Sequence, residues 1–236
     1  MTTAPAPADL AGLIDHTALK PDTDEATVRR VISEAVTHRM AAVCINPKWV
    51  ELTAAELAGT GVKTCTVVGF PLGATTTAQK VAEAAEAVEA GAEEVDMVID
   101  IADANAGAYE AVTAQISAVA AAAHAGGAIL KVILETALLS AAAKELACRA
   151  AEEAGADFVK TSTGFGGGGA TTDDIALMHS LVGGRLGIKA SGGVRTYQDA
   201  VAMVTAGATR IGASSSLDIV EASNDDASGS SSPGAY

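Results

Sequence analysis

Short apolar runs and alanine-rich stretches alternate along this chain. The runs Leu13–Thr17, Ala41–Asn46, Lys63–Gly69, Glu93–Asp100, Ile129–Thr136, Asp157–Thr163, Leu186–Ser191 and Ala208–Ala213 read as strands. The stretches between them carry helical periodicity. From Thr75 to Ala90, Val81, Ala84, Ala85 and Val88 form an apolar stripe, with Lys80, Glu83, Glu86 and Glu89 on the polar side. Gly91, Gly155 and Gly207 each stand in an Ala-Gly-Ala context after a helix, as C-terminal cap glycines do. Eight such β/α repeats predict a TIM (β/α)8 barrel. A doubly wound open sheet is the alternative, since one misread strand separates the two. A single domain is expected over residues 1–221, followed by a Ser/Asn/Asp/Gly-rich flexible tail over 222–236.

Side chains alternate along a strand, so the strand faces carry more information than the strand count. Asp15 shares a face with Leu13 and Thr17, Cys44 with Ala42 and Asn46, and Asp96 with Val98 and Asp100. Lys131 aligns with Ile133 and Glu135, and Lys160 with Ser162. An apolar face packs on the helices, so the ionisable face points inward. Asp15, Cys44, Asp96, Lys131, Glu135, Lys160 and Lys189 are then expected to approach one interior. A purely structural barrel core would place branched aliphatics there.

Composition narrows the function classes. The chain has 236 residues, 49% hydrophobic and 3% aromatic, enough for one large core rich in small side chains. A formal net charge of −14 argues against nucleic-acid binding. It also means that an anion site must be built locally. Three cysteines without a CxxC spacing give no disulfide framework and fit a reducing cytosol. Met1 to Leu10 lacks the basic start and apolar core of a secretory signal, and no apolar stretch is long enough to span a bilayer. The expectation is a cytoplasmic protein with no membrane partner.

Two lysines carry the candidate chemistry. Lys160 lies in Phe158-Val159-Lys160-Thr161-Ser162-Thr163-Gly164, and Lys189 in Gly187-Ile188-Lys189-Ala190-Ser191-Gly192-Gly193-Val194-Arg195. A buried lysine is costly unless it is paired or neutral. Adjacent strands lie about 4.8 Å apart, so the two amines can approach each other. Moving a lysine from ~10.4 to ~7 costs roughly 4.6 kcal/mol and leaves about half of it neutral at pH 7. A neutral amine attacks a carbonyl to give an iminium, an electron sink for C–C cleavage. Asp96 would hold the second lysine charged and relay protons with it through water. The bland reading is a buried Lys–Asp or Lys–Glu network that only fixes the barrel. For Lys131 and Glu135 that reading is favoured, as a pair that neutralises itself.

Gly164, Gly192-Gly193 and Gly212-Ala213-Ser214-Ser215 follow the last three strands. Glycine admits a close backbone approach, and backbone N–H groups at helix starts attract anions. Three such loops in succession favour a phosphate site, with Arg195 adding donors. Gly166–Gly169 reads either as a mobile lid or as a plain connection. Cys44 reads as a buried, inert thiol, and Cys65 and Cys148 as structural. The four histidines lack metal-ligand spacing, so no metal is expected. Tyr236 is either an exposed end or a phenol delivered over the barrel mouth.

Several segments resemble deoxyribose-phosphate aldolase in order along the chain. They are Leu13-Ile14-Asp15-His16-Thr17, Val43-Cys44-Ile45, Glu94-Val95-Asp96-Met97-Val98 and Leu130-Lys131-Val132-Ile133-Leu134-Glu135. The two lysine motifs and Arg210-Ile211-Gly212-Ala213-Ser214-Ser215 complete the set. The resemblance implies a class I aldolase on a TIM barrel, with no metal or organic cofactor. It implies reversible cleavage of 2-deoxy-D-ribose 5-phosphate to D-glyceraldehyde 3-phosphate and acetaldehyde, in deoxynucleoside catabolism. Lys160 would form the Schiff base, Lys189 would tune it, and Asp96 would act with Lys189 in proton transfer. Asp15, Cys44, Thr163, Gly164, Gly192, Gly193, Val194, Arg195, Gly212, Ser214 and Ser215 would line the substrate site. Some members carry a lysine after the glycine of the first lysine motif, where this chain has Phe165. A homo-oligomer is expected, with a homodimer as the default. Competing readings are a Schiff-base aldolase acting on a ketose phosphate, and a sugar-phosphate-binding barrel that has lost its chemistry.

Overall fold

The computed structural model describes residues 10–221. Eight parallel strands close into a barrel in chain order. They are β1 (Ile14–Ala18), β2 (Ala42–Ile45), β3 (Lys63–Val68), β4 (Glu94–Val98), β5 (Ile129–Ile133), β6 (Phe158–Lys160), β7 (Gly187–Ser191) and β8 (Arg210–Ala213). Closure is made by β1 on β8, with Ile14 opposite Ile211 and His16 opposite Ala213. That pairing excludes the open-sheet alternative and gives the expected TIM barrel.

Helices return the chain along the outside. They are α1 (Glu25–Thr37), α2 (Val50–Leu57), α3 (Thr77–Glu89), α4 (Ile101–Ala106), α5 (Tyr109–Ala125), α6 (Ala141–Glu153), α7 (Thr172–Val182) and α8 (Tyr197–Ala206). Their starts are written locally. Asp24, Thr76, Ser140, Thr171 and Thr196 each accept a hydrogen bond from the backbone N–H three residues on. Each such cap contributes about 1 kcal/mol. Gly91, Gly155 and Gly207 take positive φ just beyond α3, α6 and α8, as their contexts predict.

The apolar strand faces pack outward on the helices. Ile14, Val43, Ile45, Val95, Met97, Leu130, Val132, Val159, Ile188 and Ile211 belong to that continuous core. A second, small apolar cluster fills one side of the barrel interior, from Leu19, Ala42, Cys44, Cys65 and Val67, with Phe70 against it. The rest of the interior is ionic. Cys44, Cys65 and Cys148 are free and buried. Among the described residues no helix is long and apolar enough to cross a membrane. The expected tail 222–236, with Tyr236, lies outside the described residues.

Two expectations about polar residues are corrected. Lys80 is not on an exposed face of α3: it is fully buried, on a stripe with Ala84 and Ala87. Its Nζ donates to Val98 O at 2.7 Å and Gln115 Oε1 at 2.9 Å, so two neutral acceptors hold it. Ala85, expected in the stripe, is exposed instead. Glu135 does not pair with Lys131. The chain leaves β5 at Ile133, and Glu135 takes a left-handed φ of 56° that breaks the strand alternation. Its carboxylate turns instead to the Thr163 N–H and hydroxyl.

Candidate active site

Alternation along the strands delivers the ionisable side chains to the barrel axis. Asp96 on β4 is at the centre. Its Oδ2 accepts from Lys160 Nζ at 2.7 Å and from Lys189 Nζ at 2.8 Å, while its Oδ1 accepts from Lys131 Nζ at 2.8 Å. Lys160 and Lys189 stand directly opposite each other in the ladder between β6 and β7. Asp15 on β1 accepts from Lys189 and, at 2.6 Å, from Arg210 Nη1. Glu94, one turn of the pleat below Asp96, lies 2.6 Å from Lys131 Nζ and 3.0 Å from Arg210 Nη1. Four cations therefore face three carboxylates. Asp15, Asp96, Lys131 and Lys189 are wholly buried, and Lys160 is 3% exposed.

The electrostatics follow from that packing. Burial opposes ionisation of Asp96, but Lys131, Lys160 and Lys189 outweigh it and hold the carboxyl well below the usual range. Asp15 is lowered in the same way, by Lys189, Lys131 and Arg210 against burial. Burial pushes the Lys189 ammonium down, yet Asp15 and Asp96 raise it above its ordinary value. Lys131 is also raised, by Asp96 foremost, against burial. Lys189 and Lys131 are thus fixed cations. Lys160 differs from both in having one carboxylate partner, shared with two other ammonium groups, and in lying at the open end.

A cavity of about 660 Å³ opens above Lys160 at the C-terminal ends of the strands. Its wall includes Thr163, Gly164, Gly192, Gly193, Val194, Arg195, Gly212, Ser214 and Ser215, so nine of the expected substrate residues share one space with Lys160. Gly192 and Gly193 both take positive φ, at 82° and 80°. A Cβ on Gly192 would come within 3.0 Å of the Gly169 backbone, so the two glycine loops approach to backbone contact. Arg195 is exposed on the wall, and its backbone N–H is held by Asp199 Oδ2 at 3.1 Å. Phe165, also on the wall, meets Phe70 edge to face at 5.4 Å.

Asp15 and Cys44 do not reach that wall. Asp15 lies deeper, in the ion network, and Cys44 lies in the apolar interior cluster. Glu135 lies behind the wall, where it holds Thr163. The sequence assigns no role to Glu94 and Arg210 and reads Cys65 as structural. Cys65 contacts Lys131 Nζ and Asp96 Oδ1, both at 3.3 Å, and Glu94 and Arg210 complete the ion network. Glu94 and Arg210 sit two residues from Asp96 and Gly212, so the period-two rule alone places them on the inner face. Cys44, Cys65 and Asp96 come close enough to hold a metal ion, as do Asp15, Cys65 and Glu94. Ammonium and guanidinium groups already occupy those carboxylates.

Residues 10–222 match the family model described as DeoC/LacD family aldolase. A protein of Micrococcus luteus called deoxyribose-phosphate aldolase is 59% identical over 226 residues, covering 93% of this chain and 99% of its own. One of the same name from Bacillus subtilis is 57% identical over 215 residues, covering 91% and 96%. Among solved structures, the deoxyribose phosphate aldolase of Aeropyrum pernix, described as tetrameric, superposes with a TM-score of 0.86 at 37% identity. It covers 92% of each chain.

Proposed function

The chain belongs to the DeoC/LacD family of aldolases, and from that premise we propose that it cleaves 2-deoxy-D-ribose 5-phosphate reversibly through a Schiff base on Lys160. The observation that carries this reading is the shared oxygen. Asp96 Oδ2 accepts from Lys160 Nζ and Lys189 Nζ at once. Lys189 stays charged between Asp15 and Asp96. Lys160 therefore shares its one carboxylate partner with Lys131 and Lys189, and among the described residues four cations face three carboxylates at the axis.

The chemistry then proceeds in steps that conserve atoms and electrons. The neutral Lys160 amine adds to C1 of the open-chain sugar, and water leaves to give the iminium. A base takes the C3 hydroxyl proton, the C2–C3 bond breaks, and its electron pair moves into the iminium to form an enamine. Glyceraldehyde 3-phosphate departs. Protonation at C2 restores the iminium, and water releases acetaldehyde and the free amine. Asp96 and Lys189 carry protons to and from this centre through water. Ser214, Ser215 and the Gly192-Gly193 backbone hold the phosphate, with Arg195 at the edge. Phe165 supplies no cation there, so those backbone N–H groups carry more of the load. Neither a metal nor an organic cofactor enters this scheme. The pathway inferred is deoxyribonucleoside and deoxyribonucleotide catabolism in the cytoplasm, by a homodimer of single-domain barrels.

Borohydride reduction in the presence of acetaldehyde tests the reading, with mass mapping of the modified peptide. The expected product is an ethyl adduct on Lys160. A folded protein that gives no adduct, or one spread over surface lysines, removes the aldolase mechanism and leaves a sugar-phosphate-binding barrel. Trapping by a ketose phosphate but not by acetaldehyde would reassign the donor.

A further inference from the structure

One buried side chain on the cavity wall takes no part in the scheme above. His16 follows Asp15 on β1 and therefore points to the opposite side, away from the lysines. It is 3% exposed and still borders the cavity. Its Nδ1 lies 3.0 Å from Ser216 Oγ, and its Nε2 lies 2.7 Å from Glu34 Oε2 on α1. The Ser216 hydroxyl also donates to Ala213 O at 2.9 Å. Arg30 Nη1 closes the other end on Glu34 Oε1 at 2.7 Å.

The chemistry of these groups fixes their order. Burial opposes ionisation of Glu34, but hydrogen bonds from His16 and Arg30 outweigh it and keep the carboxyl below its ordinary value. An ionised carboxylate only accepts, so His16 Nε2 carries a hydrogen. Burial draws the His16 ring toward its neutral form, and Glu34 opposes that. With the ring protonated, Nδ1–H donates to Ser216 Oγ while Ser216 donates to Ala213 O; with it neutral, the single Ser216 hydrogen serves either Nδ1 or Ala213 O, and the ring joins Ser216 to Glu34 when it serves Nδ1. A continuous chain of polar contacts thus runs from the exposed guanidinium of Arg30, through α1 and β1, to the turn after β8. That turn contains Ser214 and Ser215, which line the cavity. Simple packing between β1 and α1 would be served by an aliphatic side chain without the cost of burying an imidazole.

We propose that His16 is a positioning residue for phosphate recognition: acting through Ser216, it fixes the turn that presents Ser214 and Ser215 to the substrate's phosphate group. This rests on the phosphorylated-sugar reading of the same cavity. No member of the relay touches Lys160, Lys189 or Asp96 among the hydrogen bonds described, so the relay acts on binding and leaves the bond-breaking step alone.

The test compares Ser216→Ala, His16→Leu and His16→Asn with the parent on 2-deoxyribose 5-phosphate and on unphosphorylated 2-deoxyribose. Ser216→Ala and His16→Leu are expected to raise KM for the phosphorylated sugar about tenfold, the loss expected for one displaced hydrogen bond to a charged group. Their kcat, and their kcat/KM on the unphosphorylated sugar, should stay near the parent's. His16→Asn places a polar atom near Nδ1 and should recover most of the KM. Equal losses on both sugars, or a fall in kcat at constant KM, would show a merely structural role and overturn the proposal. Binding of inorganic phosphate to the same proteins keeps this separate from the reaction assigned above. If the parent cleaves neither sugar, an affinity for phosphate about tenfold weaker in Ser216→Ala and His16→Leu still supports the positioning role, and unchanged affinity refutes it.

Discussion

Lys80 offers a measurement in which the sign and the size of the effect both follow from structure. Its ammonium is fully buried, donates to one carbonyl and one amide oxygen, and among the described residues pairs with no carboxylate. Burial lowers it from 10.5 to about 8, against the more distant attraction of Asp100, Glu83 and Asp103. Between those two values the unfolded chain holds a proton that the folded protein has released. Stability therefore rises with pH across that window, by about 3 kcal/mol in full. The perturbation is Lys80→Met, which keeps the straight stem beside Gly69 and removes the charge. It also deletes two hydrogen bonds, but that loss does not vary with pH. The assay is urea unfolding of both proteins at a series of pH values from about 7 to about 10.5. The parent should gain about 3 kcal/mol on the variant from the low end to the high end, roughly a 1 M shift in relative midpoint for m near 2–3 kcal/mol/M. A difference constant to within about 0.5 kcal/mol across the series would refute a desolvated ammonium at this position.

Other perturbations separate the chemistry from the scaffold. Asp96→Asn removes the anion shared by three ammonium groups, and steady-state kinetics should show kcat reduced about 10²- to 10⁴-fold. Its urea midpoint should also fall, by the equivalent of about 3–5 kcal/mol, because buried cations are left uncompensated. Asp15 and Asp96 have depressed folded values, so their contribution is complete above the unfolded carboxyl value of ~3.9 and is lost as pH falls below it. Acid titration followed by circular dichroism should show a steep loss of structure there in the parent and a shallower one in Asp96→Asn. Arg210→Met leaves Asp15 on Lys189 and Glu94 on Lys131. Calorimetry should record a lower Tm, while the fraction of Lys160 trapped by borohydride stays near the parent's.

The strands were legible because apolar and polar side chains alternate within short runs and the glycine-capped helices between them repeat the same grammar. The meeting of Asp96, Lys160 and Lys189 was legible for the same reason, since register follows once the faces are known. The misread positions are those where a distant or unusual backbone decides. Glu135 kept the alternation of β5 on paper, but its left-handed φ turns it out of the ladder toward Thr163. Strand β6 was read through Thr163 but ends at Lys160. Beyond it the Thr161 hydroxyl donates to Ser191 O and accepts from Ser191 N–H, tying the turn to the end of β7. Lys80 looked like one more polar residue beside Glu83. Its acceptors come from Val98 and Gln115, 18 and 35 residues away, and no local pattern announces them.

The distribution of charge around the barrel bears on how such a chain can be assembled. Asp15, Glu94 and Asp96 all come from β1 and β4, whereas Lys131, Lys160, Lys189 and Arg210 come from β5, β6, β7 and β8. Among the described residues, the first half of the molecule contributes acids to the axial ion network and the second half bases. A ribosome releases the acidic half first, and among the described residues none of its own bases pairs with the axial acids. Asp15 waits for partners 174 and 195 residues downstream. Severing the chain between β4 and β5 would yield two fragments of opposite axial charge, each lacking the axial counter-charges that the other supplies.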